Sequence, residues 1–541
     1  MRTARAAASL GLIALLATCG GSAGAATRGT GLAERPTSEI RAMIEAVSPG
    51  ATVAVPAARY VGTLVVDRSV TLAAEPGTVL DGGGAGSVVE IVASGVTLRG
   101  FRIEGSGAGP IGEPSGVLVE AARDVRLEDL TIVGTYLGIT VRGTRGVLVR
   151  DVLIRGRAEA AIEGEEHAVS DQPGEEVSPE GTPSMVMGTS GSGEHEGHGM
   201  TGPGEHEGHG TTQAPEPGSG GGWEGPSPLP SGNGGLRGDG IWLWNAQDAV
   251  VRDSRIQGTR DGIYLSYGER VLLEGNVISD ARYAIHDMYA RDVTIRRNVL
   301  RDNLSGCVLM YGGPVLVEGN AIVESGSPST GFGVLVKDAG DVLVRSNVIL
   351  DDRVAVHVDD AGRTGGAPAR FERNLIAANH VGVVLYPSAQ PTFTGNAFVE
   401  NAAQVVLGGS GVARASWSVD GIGNHWSDYQ GFDVDGDGIG DVPYAQSGRV
   451  AGLVARSPVL LALASGPALR LVEAVEERWV PSEPIVLDPA PLLHAVRPRV
   501  PPFSTGNAGS GALFLGGLLM AGAGGAGLVL ARRGKGGAWG A

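Results

Sequence analysis

Apolar and polar residues alternate in short runs along most of this chain, and the runs return at a regular interval. Six runs end in asparagine, beginning with V-L-L-E-G-N and V-T-I-R-R-N, and the steps between these asparagines are 22, 22, 27, 27 and 22 residues. They are Asn276, Asn298, Asn320, Asn347, Asn374 and Asn396. Each turn of a parallel β-helix buries its apolar side against its neighbours and so gives such a repeat. The pattern predicts an all-β fold, a right-handed parallel β-helix with rungs of about 22 residues.

The same register extends upstream of the asparagines. D-G-I-W-L begins at Asp239 and D-G-I-Y-L at Asp261, 22 residues later. In the earlier copies the asparagine position is taken by Phe101, Leu130, Val152 and Ser254. Stacked asparagines at a sharp corner can hydrogen-bond from rung to rung and satisfy backbone groups that the corner leaves unpaired. We therefore predict a structural asparagine ladder.

The repeat stops between about Glu163 and Gly235, where Gly, Pro, Ser, Glu and Thr dominate. Such a composition cannot build a core, so a disordered insertion is predicted. It contains an octapeptide at Gly193–Met200 that recurs at Gly204–Thr211. Imidazole and thioether groups together favour copper over hard cations. The candidate copper ligands of the insertion are His195, His198, Met200, His206 and His209. The alternative is an inert spacer that grew by repeat expansion.

A second candidate metal site lies on the rungs themselves. Alignment on the asparagines places Ser266, Met288, Met310 and Lys337 in one column. Strand alternation turns His286 to the same outer face as Met288 and Met310. Exposed methionine gains little from packing, and a histidine with two methionines suits a transient Cu(I) site. The alternative is that a loop or partner covers this face and the methionines are ordinary packing groups.

Other residues of these rungs complete the picture. Asp287 falls at an inward position, where it conflicts with the apolar pattern, and Cys307 points inward without a partner, so no disulfide is expected. Exposed aromatic side chains are typical of a face that binds protein or sugar. The outward aromatic residues are Trp242, Trp244, Tyr267, Tyr289 and Tyr311.

An acidic segment follows the last repeat, in which aspartates alternate with other residues and with glycine. Its candidate Ca²⁺ ligands are Asp433, Asp435, Asp437 and Asp441. Carboxylate oxygens around a tight turn are the ligands that Ca²⁺ prefers, although the glutamate that ends a standard EF-hand loop is missing. The sequence predicts a structural calcium loop, with a solvated acidic turn that caps the solenoid as the alternative.

The two ends of the chain predict export and anchoring. Arg2 and Arg5 precede an apolar run and small residues, as in a signal peptide, and Leu16–Cys19 resembles a lipoprotein box. Residues 512–530 are apolar and uncharged and are followed by basic residues, which predicts a membrane anchor with the body outside the cytoplasm. A hydrophobic tail packed on the protein is the alternative. The net charge of −17 makes nucleic acid a poor partner.

These features predict a sequence of segments along the chain. They are a signal peptide (1–26), N-terminal rungs (35–163), the insertion (164–235), rungs with the asparagine ladder (236–410), an acidic cap and C-terminal segment (411–500), a linker (501–511), the membrane helix (512–530) and a cytoplasmic tail (531–541).

Two motifs near the C-terminus resemble one known family. The stretch G-N-H-W-S-D-Y-x-G-x-D-x-D-G-D-G-I-G-D-x-P-Y from Gly423 and the segment D-P-A-P-L-L from Asp488 are similar to the NosD family of nitrous oxide reductase maturation proteins. Gly240–Asn245 and the Met-Tyr pairs at Met288 and Met310 also look like rungs of that family. The insertion and the membrane anchor depart from it.

The resemblance implies a non-catalytic, extracytoplasmic β-helix protein that handles copper. Its implied partners are the ATPase and membrane subunits of an ABC transporter, a copper donor chaperone and the apo form of nitrous oxide reductase. By this resemblance the protein accepts copper from the donor and passes it to the reductase.

Two other functions are compatible with a β-helix, because fold does not determine function. A carbohydrate-active enzyme needs clustered carboxylates, for which Asp351, Asp352, Asp359 and Asp360 are candidates. An adhesive surface protein would explain the anchor and the aromatic residues but neither the histidines nor the methionines.

Overall fold

The computed structural model describes residues 32–157, 237–327, 330–359, 365–409, 412, 414–447 and 484–504. The predicted signal peptide, the insertion with its candidate copper ligands His195, His198, Met200, His206 and His209, and the predicted membrane helix at 512–530 all lie outside the described residues. Within these ranges, no helix has the length and apolar character needed to cross a membrane.

The strands are short, and most contain three to six residues. The segment before the insertion contains β1 (Glu34–Pro36), α1 (Ser38–Glu45), β2 (Thr52–Val55), β3 (Arg59–Val61), β4 (Leu64–Val66), β5 (Thr71–Ala74), β6 (Val79–Asp81), β7 (Val89–Ile91), β8 (Thr97–Arg99), β9 (Arg102–Glu104), β10 (Ser115–Glu120), β11 (Arg126–Glu128), β12 (Thr131–Val133), β13 (Leu137–Arg142), β14 (Leu148–Arg150) and β15 (Leu153–Arg155).

After the insertion, β18 and β20 are longer because each passes from one side of a rung to the next without a break. The strands there are β16 (Ile241–Trp244), β17 (Val250–Arg252), β18 (Arg255–Ser266), β19 (Glu269–Glu274), β20 (Val277–Met288), β21 (Arg291–Arg296), β22 (Val299–Arg301), β23 (Ser305–Met310), β24 (Val315–Glu318), β25 (Ala321–Val323), β26 (Phe332–Lys337), β27 (Val342–Arg345), β28 (Val348–Leu350), β29 (Val354–Asp359), β30 (Arg370–Glu372), β31 (Leu375–Ala377), β32 (Val381–Leu385), β33 (Thr392–Thr394), β34 (Ala397–Val399), β35 (Ala403–Leu407), β36 (His425–Trp426), β37 (Tyr444–Gln446) and β38 (Val486–Asp488).

These strands form two parallel sheets and one small antiparallel pair. The larger sheet has 24 strands and the smaller has 12, and β37 pairs with β38. The smaller sheet takes one strand from each turn, in the order β2-β5-β8-β11-β14-β17-β19-β21-β24-β27-β30-β33. Successive strands pair in parallel, so that Ile241 lies beside Ile263 and Ile263 beside Ile285. The prediction of an all-β chain with stacked parallel strands is confirmed.

Strand pairing continues directly across the insertion. Ile139 of β13 lies beside Ile241 of β16, and Ile154 of β15 lies beside Ile256 of β18, although 102 residues separate each pair along the chain. The rungs before and after the insertion are therefore neighbours in one uninterrupted solenoid.

One hydrophobic core runs along the inside of the solenoid, and different elements close its two ends. Helix α1 packs at the N-terminal end and buries Ile40 and Ile44, an element that the repeat pattern did not predict. At the C-terminal end aromatic rings stack, with Phe398 and Tyr444 each 4.4 Å from Trp426 between centroids. Cys307 is buried in this core and carries a free thiol, as predicted.

The asparagine ladder forms as predicted and holds the corner between two strands of each rung. The backbone N–H of Asn276 donates to Oδ1 of Asn298 at 2.9 Å, and Asn298 donates to Oδ1 of Asn320 in the same way. Each Nδ2 also donates to a backbone carbonyl, as Asn298 does to Leu273 at 3.0 Å. Every ladder asparagine is fully buried. The corner groups are thus satisfied by side chains of the next rung.

The ladder is longer than the repeat pattern predicted. Asn396 donates to Oδ1 of Asn424, and the N–H of Asn424 donates to Oδ2 of Asp488 at 2.7 Å. The indole Nε1 of Trp426 donates to the same carboxylate oxygen at 2.9 Å. A Cβ atom at Gly423 would lie 2.0 Å from the Asp488 carboxylate, so glycine is required there. The two C-terminal motifs, 64 residues apart, therefore meet where the ladder ends.

A second ladder, which was not predicted, follows another corner. Its members are Asn303, Ser325, Asp352, Asn379 and Asn401. The N–H of Ser325 donates to Oδ1 of Asp352 at 2.5 Å, and the N–H of Asp352 donates to Asn379 at 2.9 Å. Burial raises the pKa of Asp352 well above its usual range. Asp352 is therefore a structural residue of this corner.

The last described segment, which we call the C-terminal strap (residues 493–504), covers an apolar stripe on the outside of the solenoid. The stripe consists of Val299, Ala321, Val323, Val348, Leu350, Leu375, Ala377, Ala397 and Val399. Ala495, Val496, Val500 and Phe503 of the strap pack against it. The carbonyl oxygen of Arg499 would lie 3.7 Å from a Cβ placed on Gly319. The strap thus runs back from the last rung to the rung of Asn320.

Replacing one ladder asparagine tests the contribution of this interaction to stability. Asn298→Ala removes the acceptor of the Asn276 N–H and the donor to Leu273, so we expect a loss of about 3 kcal/mol in the free energy of unfolding. Asn298→Ser is the matched control, because the hydroxyl of Ser254 already fills this slot one rung pair upstream. Urea denaturation should give Ala a clearly larger loss than Ser, and equal losses would contradict the ladder's role.

Candidate functional site

The predicted outer columns are present on neighbouring rungs. Ser266 lies beside Met288, Met288 beside Met310, and Met310 beside Lys337. The rings of Tyr267, Tyr289 and Tyr311 stack at centroid distances of 5.0 and 5.2 Å in the next column. The two methionines therefore occupy adjacent strands, whose backbones lie about 4.8 Å apart. We call the surface formed by Tyr264, Tyr283, His286, Met288 and Met310 the His–Met face.

The His–Met face is more covered than the sequence predicted. Met310 is 7% exposed and His286 is 8% exposed, whereas Met288 is half-buried. Met310 packs with Tyr283, Val308 and Leu335, and Met288 borders the same cluster. The outward direction is as expected, but the expected solvent exposure is wrong because large side chains of neighbouring columns fold over the sulfur atoms. The packing alternative therefore describes Met310 in part.

Tyr264 connects the histidine to a methionine. Its ring stacks on His286 with a centroid distance of 4.7 Å and an angle of 20°. Its hydroxyl group donates to Sδ of Met288 at 3.5 Å. Tyr283 contacts the same imidazole edge-on at 5.0 Å. Tyr264 and Tyr283 thus hold the His286 ring in one orientation beside Met288.

Two buried Asp–Arg pairs lie beneath this face, and the sequence analysis missed them. Arg282 binds Asp261 through Nε and Nη2 at 2.9 and 2.7 Å, and Arg260 binds Asp239 at 2.8 and 2.6 Å. Nδ1 of His286 lies 3.0 Å from Oδ2 of Asp261. The repeated D-G-I motif, with an arginine 21 residues after each aspartate, was the available signal.

The two carboxyl groups differ in their ionisation. Burial alone would raise the pKa of Asp261, but hydrogen bonds from His286 and Arg282 outweigh it and hold the pKa at about 2. Burial and the charge of Asp261 raise the pKa of Asp239 in spite of its Arg260 partner. Asp261 is therefore the stably ionised carboxylate of the pair.

Asp287 occupies the inward position that the sequence predicted for it. It lies between Leu265 and Leu309 of the neighbouring rungs and is 1% exposed. In the part of the chain that the structure describes, its Oδ1 has no hydrogen-bond partner. Burial raises its pKa to about 7, and burial together with the Asp287 charge raises the pKa of Cys307 to about 12. The register is correct, so the misfit is a real buried acid behind the His–Met face.

Three of the four predicted calcium ligands come together. Carboxylate oxygens of Asp433, Asp435 and Asp437 lie within 4.8 Å of one another. Both oxygens of Asp433 accept backbone N–H bonds, from Gly436 at 2.6 Å and from Gly438 at 2.9 Å, and the bond from Gly438 lowers the pKa of Asp433.

Asp441 does not join this cluster. Its Oδ2 accepts the backbone N–H of Val434 at 2.7 Å, so this carboxylate closes the loop from the side. The clustered oxygens are the hard ligands that suit a divalent cation such as Ca²⁺.

The carboxylates of the carbohydrate-enzyme alternative are engaged elsewhere. Asp352 belongs to the second ladder, and Asp359 forms an ion pair with Nζ of Lys337 at 2.8 Å. Asp351 follows β28 with a φ of 57°, and Asp360 lies outside the described residues. Lys337 and Asp359 instead border the methionine column.

The fold and the His–Met face together define a parallel β-helix protein that carries imidazole and thioether groups on one outer face. Residues 227–431 match the family model of NosD, described as a periplasmic copper-binding protein. The chain thus carries a NosD domain, and the resemblance recognised in its sequence is confirmed.

Two relatives and one solved structure extend this comparison. A probable ABC transporter binding protein NosD of Pseudomonas aeruginosa is 27% identical over 457 residues, which cover 82% of this chain and 89% of that protein. A protein of the same name from Stutzerimonas stutzeri is 34% identical over 125 residues, or 23% of this chain and 28% of the relative. The catalytic unit of an α-1,3-glucanase from Streptomyces thermodiastaticus aligns with a TM-score of 0.47 and 16% identity, covering 75% of this chain and 70% of that one.

Replacing the buried acid tests its pKa through stability. The pKa of Asp287 is about 7 in the folded chain and about 3.9 when unfolded, so the folded state binds its proton more tightly. Stability therefore falls as pH rises from about 4 to 7, and the penalty is complete above that range. Asp287→Leu continues the leucine column and should raise the free energy of unfolding by about 2–4 kcal/mol at pH 8.

Urea denaturation between pH 4.5 and 8 measures this effect, and the gain should shrink toward the acid end. Asp67→Asn is the control, since Asp67 is largely exposed at the surface. The same pH dependence in wild type and Asp287→Leu would show that Asp287 does not cause it.

Proposed function

We propose that this protein is a non-catalytic copper-handling maturation factor that helps to assemble the copper centres of nitrous oxide reductase together with an ABC transporter. The match to the periplasmic copper-binding NosD family and the names of the two relatives support the proposal. The observation that carries it is the pairing of Met288 with Met310 on adjacent strands, with His286 two residues before Met288.

The donor set suits Cu(I) as cargo. Thioether sulfur is a soft ligand that selects Cu(I), and imidazole binds copper in either common oxidation state. Two thioethers and one imidazole give a neutral site, which holds Cu(I) without the strong binding of thiolates. The tyrosine and leucine cover over Met310 shields the sulfurs from water. Such a site fits a protein that accepts copper from one partner and releases it to another.

The partners and the location follow from the same family assignment. We propose that a copper donor chaperone loads the His–Met face, that the apo-reductase receives the copper, and that the ATPase and membrane subunits of the transporter act with the loaded protein. The histidines and Met200 of the insertion would serve as an auxiliary collector. Export and a membrane anchor at 512–530 would keep the solenoid on the extracytoplasmic side.

We also propose that Asp433, Asp435 and Asp437 bind Ca²⁺ and stabilise the C-terminal cap, since their oxygens already converge. Calcium should raise the thermal unfolding midpoint of the wild type and leave that of Asp433→Asn/Asp437→Asn unchanged, as measured by differential scanning calorimetry. Asp441→Asn is the matched control and should keep the calcium effect, because Asp441 stands outside the cluster. An equal effect of Mg²⁺ would argue against a calcium site.

Anaerobic Cu(I) titration of the full chain against a competing chelator tests the copper proposal. Met288→Leu/Met310→Leu keeps the packing volume and removes both sulfurs, so the affinity of the face for Cu(I) should fall at least tenfold. Met43→Leu is the control, since Met43 packs on α1 at the far N-terminal end. A variant without residues 164–235 should retain the face site.

Two results would count against the proposal. Equal Cu(I) binding by wild type and the double methionine variant would remove the His–Met face as the copper site. Loss of all binding on deletion of residues 164–235 would transfer the function to the insertion.

A further inference from the structure

The buried carboxylate of Asp261 acts on the copper site through His286. Resting on the proposed function, we infer that Asp261 is a positioning residue that fixes the tautomer of His286, so that the imidazole presents Nε2 to copper. The family description gives no role to either residue.

The geometry leaves Asp261 one use. Its side chain is completely buried, and the Arg282 fork occupies both of its oxygens. Oδ2 is also 3.0 Å from Nδ1 of His286. A carboxylate enclosed in this way is not free to bind a metal itself. It can accept a proton-bearing nitrogen and hold it in place.

The ionisation of Asp261 determines which nitrogen carries the proton. Asp261 is held ionised, and an ionised carboxylate only accepts hydrogen bonds. Nδ1 must therefore be the donor, so in the neutral imidazole Nε2 keeps its lone pair. A hydrogen bond from the second ring nitrogen to a carboxylate is the usual way in which proteins orient a metal-binding histidine.

The ring contacts direct Nε2 further. Tyr264 stacks on one face of the His286 ring, and Tyr283 closes one edge. The Tyr264 hydroxyl reaches Sδ of Met288, which places the imidazole and the thioether against the same tyrosine. Rotation of the imidazole would break the Asp261 bond and both aromatic contacts. His286 is thus prearranged before copper binds.

The rung before provides a natural comparison. Asp239 and Arg260 form the same kind of pair one rung earlier, and Asp239 also accepts the N–H of Asp261 at 3.2 Å. The residue that corresponds to His286 in that rung is Tyr264. The first pair therefore has the structural features of the second without the imidazole, and it separates a structural effect from a positioning effect.

Cu(I) affinity of full-chain variants, measured by chelator competition, tests the inference. Asp261→Ala should weaken Cu(I) binding about 10- to 100-fold, as loss of such a partner does at other metal sites. Asp239→Ala leaves an equally unpaired arginine and should change the affinity less than about twofold. Asp261→Asn should recover part of the loss, because its amide oxygen still accepts from Nδ1. Thermal midpoints of the two alanine variants show whether both are folded to the same degree.

A double-mutant cycle separates positioning from general damage. If Asp261 acts through His286, Asp261→Ala should cause no further loss of affinity in a His286→Gln background. A further loss there, or an equal loss in Asp239→Ala, would overturn the inference. If the methionine variant loses copper while Asp261→Ala and His286→Gln keep it, the inference fails and the proposed function stands. If the wild type binds no Cu(I), the proposed function fails with it.

A measurement on the wild type covers the case in which Asp261→Ala does not fold. In [¹⁵N]histidine-labelled full chain, the His286 resonances are identified by their loss in His286→Gln. We expect Nδ1 to be protonated, Nε2 to be unprotonated, and the Nε2 resonance to shift when Ag(I) is added as a redox-stable probe for Cu(I). Protonation at Nε2 alone, or a shift confined to Nδ1, would rule the assignment out.

Discussion

The hydrogen bond from a backbone N–H to the side-chain oxygen of the next rung is the interaction on which the rest of this structure depends. A solenoid turns its chain sharply three times in each rung, and every corner interrupts the strand pairing that satisfies backbone groups elsewhere. The first ladder resolves one corner from Ser254 to Asp488, and the second resolves another from Asn303 to Asn401. Because each ladder residue must lie beside its counterpart, the ladders also set the register of all other columns.

The functional face follows from that register. Once Asn298 lies beside Asn320, the residue ten positions before each is fixed as well, and Met288 lies beside Met310. The same constraint brings Tyr264 beside His286 and places Asp261 under the imidazole. A ladder that has no chemistry of its own thus assembles a donor set from three rungs. Asp287 shows the cost, since a buried acid with an unpaired oxygen persists in a leucine column at this place.

The sequence was sufficient for features that depend on the repeat and insufficient for those that depend on side-chain reach or on distant segments. Alternation and period predicted the methionine column, the tyrosine stack, the inward Cys307 and the inward Asp287. They did not predict that Tyr283 and Leu335 cover Met310, because coverage depends on where large side chains lean. The charge network at Asp261 was missed because its partner residues lie 21 and 25 residues away, on the next rung.

Distance along the chain also hid the end of the ladder. Asp488 takes the place of an asparagine 64 residues after Asn424, and no repeat connects them. The second ladder mixes asparagine, serine and aspartate, so no single residue type marked it.

The C-terminal strap changes how this solenoid should respond to stress. In a simple repeat protein each turn contacts only its neighbours, so turns can open one by one from either end. Here the strap starts at the last rung and lies across the stripe as far as the rung of Asn320, and one segment touches turns that do not touch each other. Those turns are coupled beyond nearest neighbours. The C-terminal rungs should open together as a cooperative block, while the rungs upstream of the strap can fray independently.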